Sequence, residues 1–137
     1  MSFAWSPDLA TGNAVIDHQH QQLFAAASAL YDACQIGQER QEVERTMEFL
    51  VKYTLKHFAE EEALQQEHDY PHCLAHKQLH DEFKRTVQAL ALKMFQETLT
   101  DDFISEVYIT ISEWLLNHIR GEDFRMVEYI QSKTQTI

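Results

Sequence analysis

Apolar positions recur along this chain at intervals of three and four residues in four long stretches. That spacing marks the buried stripe of an amphipathic helix, whose period is ~3.6 residues. One stripe reads Ile16, His20, Leu23, Ala27, Leu30, Cys34, and a second reads Val43, Met47, Leu50, Thr54, His57, Glu61, Leu64. A third reads Cys73, His76, His80, Phe83, Val87, Leu90, Met94, and a fourth Ile104, Tyr108, Ile111, Leu115, His118. These stripes predict helices over about 17–35, 38–67, 71–96 and 101–118, after an irregular arm (1–16) anchored by Trp5 and Leu9. Gly37 reads as the stop of the first helix. "HDYPH" (68–72) separates the second helix from the third, with Pro71 suited to a first helical turn, and "ETLTDD" (97–102) is a polar turn with capping residues. Gly121 predicts a break before a short last helix near 123–132. Four long helices with short connections predict one all-α domain over 1–137, an up-down-up-down antiparallel four-helix bundle.

Composition leaves that picture intact and narrows the partners. Hydrophobic residues make up 45% and charged residues 24%, an ordinary globular mixture, and the scarcity of glycine (3) and proline (2) argues against a turn-rich β fold. A formal net charge of −11 disfavours nucleic acid and anionic membrane surfaces, which select basic patches. No apolar run approaches the ~20 residues that span a bilayer. The start, "MSFAWSPDLATGN", lacks the basic segment and apolar core of a leader. Two cysteines, Cys34 and Cys73, make no disulfide framework, read as small core residues and suit a reducing compartment. The expectation is a cytoplasmic monomer with no nucleic-acid or membrane partner.

The stripes nonetheless carry polar groups where apolar ones belong. In an antiparallel bundle the starts of helices one and three share a pole with the ends of helices two and four. His20, His57, Glu61, His76, His80 and His118 all fall at that pole, and Asp123 lies just beyond it. A lone imidazole on an apolar stripe is ordinarily a hydrogen-bonded core residue, but an unpaired buried carboxylate costs several kcal/mol. Without a metal, each of the five imidazoles needs its own proton partner inside a small core. A metal cluster satisfies all of them together. His18, His68 and His72 read as solvated, as do Glu60 and Glu62, which flank Glu61 but rotate off its stripe.

Seven nitrogen and oxygen donors are too many for one zinc and suit two octahedral ions. With Glu61 and Asp123 bridging, and an oxide or hydroxide bridging beside them, one coordination position stays open to a small exogenous ligand. Imidazole with carboxylate fits iron among the redox-active ions, and geometry alone leaves manganese and cobalt open. The chain contains no Glu-x-x-His, the mark of the carboxylate-rich di-iron oxidases built in other helical bundles. A shell rich in neutral imidazole donates less charge, which favours reversible two-electron binding of O2 over cleavage of its bond.

These residues resemble the hemerythrin family, specifically the single-domain bacteriohemerythrins, over essentially the whole chain. The resemblance is carried by Trp5, "GNAVIDHQHQQL" (12–23), "HFAEEE" (57–62), "YPHCLAHKQLH" (70–80) and "WLLNHIRGED" (114–123). It implies that His76, His80 and His118 hold one iron, that His20 and His57 hold the other, which keeps the open position, and that Glu61 and Asp123 bridge them. It also implies an apolar O2 pocket from Phe58, Trp114, Leu115 and Ile119. Gln65 departs from the pattern, since family members often carry Met there. The implied function is reversible O2 carriage, storage or delivery at a non-haem di-iron centre, without enzymatic turnover. The alternative is a module that senses O2, redox state or nitric oxide, or handles iron, at the same site. An oxygen-consuming enzyme or a signalling protein as partner stays open.

Overall fold

The computed structural model describes residues 4–35, 40–96 and 100–134, apart from the side chains of Cys34 and Thr134. The expected stop at Gly37, the core role of Cys34 and the first half of the 97–102 turn therefore lie outside the described residues. A 3-10 turn (Pro7–Leu9) precedes α1 (Ala14–Gln35), α2 (Arg40–Glu67), α3 (Cys73–Gln96) and α4 (Asp101–His118). A π-helical turn (Ile119–Asp123) then leads into α5 (Phe124–Thr134). No described helix is long and apolar enough to cross a membrane.

The helix ends follow from local hydrogen bonding. α1 starts at Ala14 rather than near Asp17 because Asn13 caps it, Oδ1 accepting the Ile16 N–H at 3.1 Å. Asp17 turns back to accept the Thr11 backbone N–H at 2.8 Å and the Thr11 hydroxyl at 2.7 Å, which fixes the arm onto the first turn. Between them Gly12 has φ 98°, and a Cβ there would come within 2.7 Å of Gln131 Nε2. α2 ends in a paired turn: the Tyr70 N–H reaches the Gln65 carbonyl (2.9 Å) and the Asp69 N–H the Gln66 carbonyl (3.3 Å). Asp69, at φ 51°, takes the left-handed place usually filled by glycine. α3 begins at Cys73, later than expected, because Pro71 and His72 belong to a turn closed by the Cys73 N–H on the Tyr70 carbonyl (3.2 Å). Thr100 caps α4, its hydroxyl accepting the Phe103 N–H at 3.1 Å. The break expected at Gly121 does not occur. The backbone stays right-handed helical from α4 through the π turn into α5.

α1 packs against α2 and α4, α2 against α3, and α3 against α4, the neighbours of an antiparallel square. The main core contains Leu23, Leu30, Met47, Leu50, Phe83, Ile104 and Ile111, all buried. A second cluster of Ile16, Tyr70, Met126, Val127 and Ile130 brings α5 against the start of α1 and the α2–α3 turn. Along α1, Ile16 belongs to this small cluster and Leu23 to the main core, with His20 between them. A buried polar layer thus separates two apolar clusters. Three expected stripe positions, Leu64, Cys73 and Leu90, are only half-buried, and Gln65, a turn beyond Glu61, is fully buried in place of Leu64.

Candidate metal centre

Each long helix delivers imidazoles to this layer, and the bridging turn delivers the last acid. His20 comes from α1, His57 and Glu61 from α2, His76 and His80 from α3, and His118 from the end of α4. All seven residues, Asp123 included, are at most 5% exposed. Asp123 reaches the layer because of the π turn. In an unbroken α-helix a residue five places after His118 lies roughly 140° round the axis. The wider turn, closed by i to i+5 bonding, carries it back over His118, with Oδ1 at 3.2 Å from His118 Nε2.

The donor atoms form two groups, each within 4.8 Å: Glu61, His76, His80, His118 and Asp123; and His20, His57, Glu61 and Asp123. Each carboxylate gives one oxygen to each group. Glu61 Oε1 lies 2.9 Å from His76 Nε2 and 3.3 Å from His80 Nε2, whereas Oε2 lies 3.1 Å from His57 Nε2. Asp123 Oδ1 lies 3.1 Å from His76 Nε2, whereas Oδ2 lies 2.9 Å from His20 Nε2.

This packing is not satisfied by protein hydrogen bonds alone. Despite those short distances, no N–H is aimed well at either oxygen of Glu61 or Asp123, and both ring nitrogens of His20 also lack a partner. His118 Nε2 sits 2.8 Å from His76 Nε2 and 3.1 Å from His80 Nε2, so three ring nitrogens crowd one point. Charge follows the same geometry. Burial and the neighbouring Asp123 push Glu61 up, but the facing His57, His76 and His80 rings outweigh them and bring it down to about 2. Burial opposes the charged form of Asp123 too, and His118, His20 and His76 hold it well below the usual range. Burial lowers His76, and the Asp123 and Glu61 carboxylates more than offset this, raising it to about 9. Two buried anions therefore gather positive charge, by proton or by metal. Divergent carboxylate oxygens facing convergent Nε2 atoms make a donor set suited to binding metal.

The opposite edges of two of the rings are held as well. His57 Nδ1–H donates to Gln19 Oε1 at 2.7 Å, and His80 Nδ1–H donates to Glu62 Oε2 at 2.9 Å. The sequence reading missed Gln19 and assigned Glu62 to solvent, but Glu62 is half-buried against α3. The available signal was chemical: a metal-binding imidazole needs an acceptor for its other N–H, and polar residues beside the ligand stripe are the candidates. Glu60 and His18 are exposed as expected. His68 is half-buried, and its Nδ1 lies 3.0 Å from the Leu64 carbonyl, closing the end of α2.

Of the four expected pocket residues, Phe58 stacks on His80 with centroids 3.9 Å apart, and half-buried Trp114 stacks on His118 at 4.3 Å. Both aromatics therefore face the three-imidazole group. Phe58 also lies 5.8 Å from the His57 ring, and Leu115 and Ile119 are buried in the main core.

The fold and this donor set define a four-helix bundle built around a buried cluster of histidines and carboxylates with the makings of a metal site. The chain belongs to the hemerythrin family: the hemerythrin HHE cation binding domain matches residues 11–130. It is similar to the bacteriohemerythrin of Stenotrophomonas maltophilia, 37% identical over 128 residues, spanning 93% of this chain and 81% of that one. A bacteriohemerythrin of Pseudomonas aeruginosa is 39% identical over 127 residues, 93% of this chain and 80% of its own length. Among solved structures, a wild-type hemerythrin aligns with a TM-score of 0.82 at 25% identity, covering 93% of this chain and 96% of its own.

Proposed function

We propose that the protein is a reversible O2-binding protein that holds two non-haem iron ions. His76, His80 and His118 would hold one ion and His20 and His57 the other, with Glu61 and Asp123 each offering an oxygen to both. The single observation behind this reading is the division of both carboxylates, one oxygen toward each imidazole group. Bound iron would supply electrons for reversible two-electron binding of O2.

The chain's own residues account for the rest. His57 and His80 are fixed through their outer edges, so these two rings reorganise little before metal binding. Gln19 and Glu62 each accept an Nδ1–H and leave the Nε2 lone pair directed inward. Phe58, Leu115 and Ile119 form the apolar side of the layer, which keeps bulk water from the site, and Trp114 covers His118. A shell dominated by neutral donors suits binding and release rather than turnover, so we read a carrier, store or delivery protein and not an enzyme. The names of the relatives agree with this reading.

The test is optical. The reduced, iron-loaded protein should be nearly colourless, gain a visible charge-transfer band in O2, and lose it under argon over repeated cycles. Direct conversion to an oxidised form that argon does not reverse contradicts O2 carriage.

A further inference from the structure

Gln65 is fully buried one turn beyond Glu61, and its side-chain Nε2 lies 3.0 Å from His76 Nδ1. The same nitrogen lies 3.0 Å from Met126 Sδ, while Oε1 is buried with no partner. His76 Nε2 points the other way, toward Glu61 and Asp123. We propose that Gln65 is a positioning residue for His76, its carboxamide oxygen accepting the Nδ1–H so that the Nε2 lone pair faces the cation. This rests on the two-ion reading above.

The chemistry runs through the tautomer. A neutral imidazole that offers Nε2 to a metal carries its proton on Nδ1, so the group facing Nδ1 must be an acceptor. A carboxamide is nearly symmetric in shape, and a half-turn about its last bond exchanges its donor and acceptor ends. With the oxygen toward His76 the ring is held in the ligating tautomer. Met126 Sδ is only a weak acceptor, so the imidazole decides which end faces it. Two rings of the same group then have different outer partners: the anionic Glu62 on His80 and the neutral Gln65 on His76. An anionic acceptor strengthens an imidazole as an electron donor, and a neutral one does so less. Gln65 therefore fixes the ring without adding a further buried negative charge.

The test uses the full chain loaded with ferrous iron, comparing parent, Gln65→Met and Gln65→Glu. Three quantities are read: iron per chain, the rate of iron release to a ferrous chelator, and the midpoint potential. Gln65→Met keeps the shape and removes the acceptor, so release should be roughly 10-fold faster, the low end for loss of such a partner, and the midpoint should rise. Gln65→Glu keeps an acceptor and adds charge, so it should release iron no faster than the parent, with a lowered midpoint. Gln65→Met indistinguishable from the parent in both rate and midpoint overturns the proposal, as does Gln65→Glu behaving like Gln65→Met. Should Gln65→Met fail to fold, the direction of the Gln65→Glu midpoint decides alone. A parent that holds fewer than two irons overturns the underlying two-ion reading instead, and this inference with it.

Discussion

Two histidines separated by one residue should behave as opposites. His20 is fully buried, with Nε2 2.9 Å from Asp123 Oδ2 and 4.0 Å from Glu61 Oε2. His18 sits roughly 200° round the same helix and is exposed. His20→Ala takes one donor from the four-residue group and leaves the five-residue group whole. It also takes away the imidazole 2.9 Å from Asp123 Oδ2, one of the groups that hold this buried carboxyl low in the metal-stripped fold. Loss of an outer partner alone weakens metal binding ~10–100-fold, and loss of a direct ligand should exceed that, more than ~2.8 kcal/mol at ~1.4 kcal/mol per decade. Extraction by a chelator under argon, with iron counted against protein, reads the effect. His20→Ala should fall from two ions per chain toward one, and should not form the oxygenated band. His18→Ala should match the parent in iron content, spectrum and urea midpoint. If His18→Ala lost iron while His20→Ala kept both ions, the helical phase assigned to the start of α1 would be wrong, and the grouping of the site with it.

Glu62→Leu removes the acceptor on His80 Nδ1 at a half-buried position; iron release should quicken by ~10-fold or more, and an unchanged rate would reduce Glu62 to a packing role. Leu115→Ala, one turn before His118 and 2% exposed, should cost about 2–5 kcal/mol in unfolding free energy and shorten the oxygenated form's lifetime with the iron count unchanged; an unaltered lifetime would remove Leu115 from the pocket. The pH dependence of the metal-stripped protein follows from two shifts of opposite sign. His76, raised from 6.5 to about 9, stabilises the fold fully below pH 6.5 and loses that contribution as pH rises through 9. Glu61, lowered from 4.5 to about 2, stabilises it above pH 4.5 and loses that as pH falls through 2. Thermal melts should therefore peak between these limits, and greater stability at pH 9 than at pH 6 would refute the sign. Iron must displace the His76 proton, so its affinity should rise from pH 6.5 toward 9 with proton release, and uptake without released protons would refute that exchange.

Much of the bundle was legible because its signal is periodic. The α2 stripe from Val43 through Glu61 follows one helical phase, and only its last member slips, Gln65 taking the inward place expected for Leu64. Helix ends were less legible, since Asn13 and the turn at Asp69 act through specific hydrogen bonds that periodicity does not report. The π turn was invisible for the same reason: Gly121 suggested a break, whereas the backbone absorbs the extra span by widening one turn. Asp123 is the instructive residue. Ordinary helical phase turns it away from His118; its place just beyond the shared pole pointed to the site, whereas the π turn that carries it there left no mark in the periodicity. Gln19 and Glu62 were missed because one helix's phase shows which way a side chain points, not what the neighbouring helix offers it.

The most direct test of the central claim is an anaerobic titration of the metal-stripped full chain with ferrous iron, followed by equilibrium binding and metal analysis. The two donor groups sharing Glu61 and Asp123 predict saturation at two ions per chain, with no haem and no acid-labile sulfide. Because the shared carboxylates couple the groups, Glu61→Ala should impair both ions together. Saturation at one ion per chain, or loss of a single ion in Glu61→Ala with the second held as tightly as in the parent, would contradict a bridged pair.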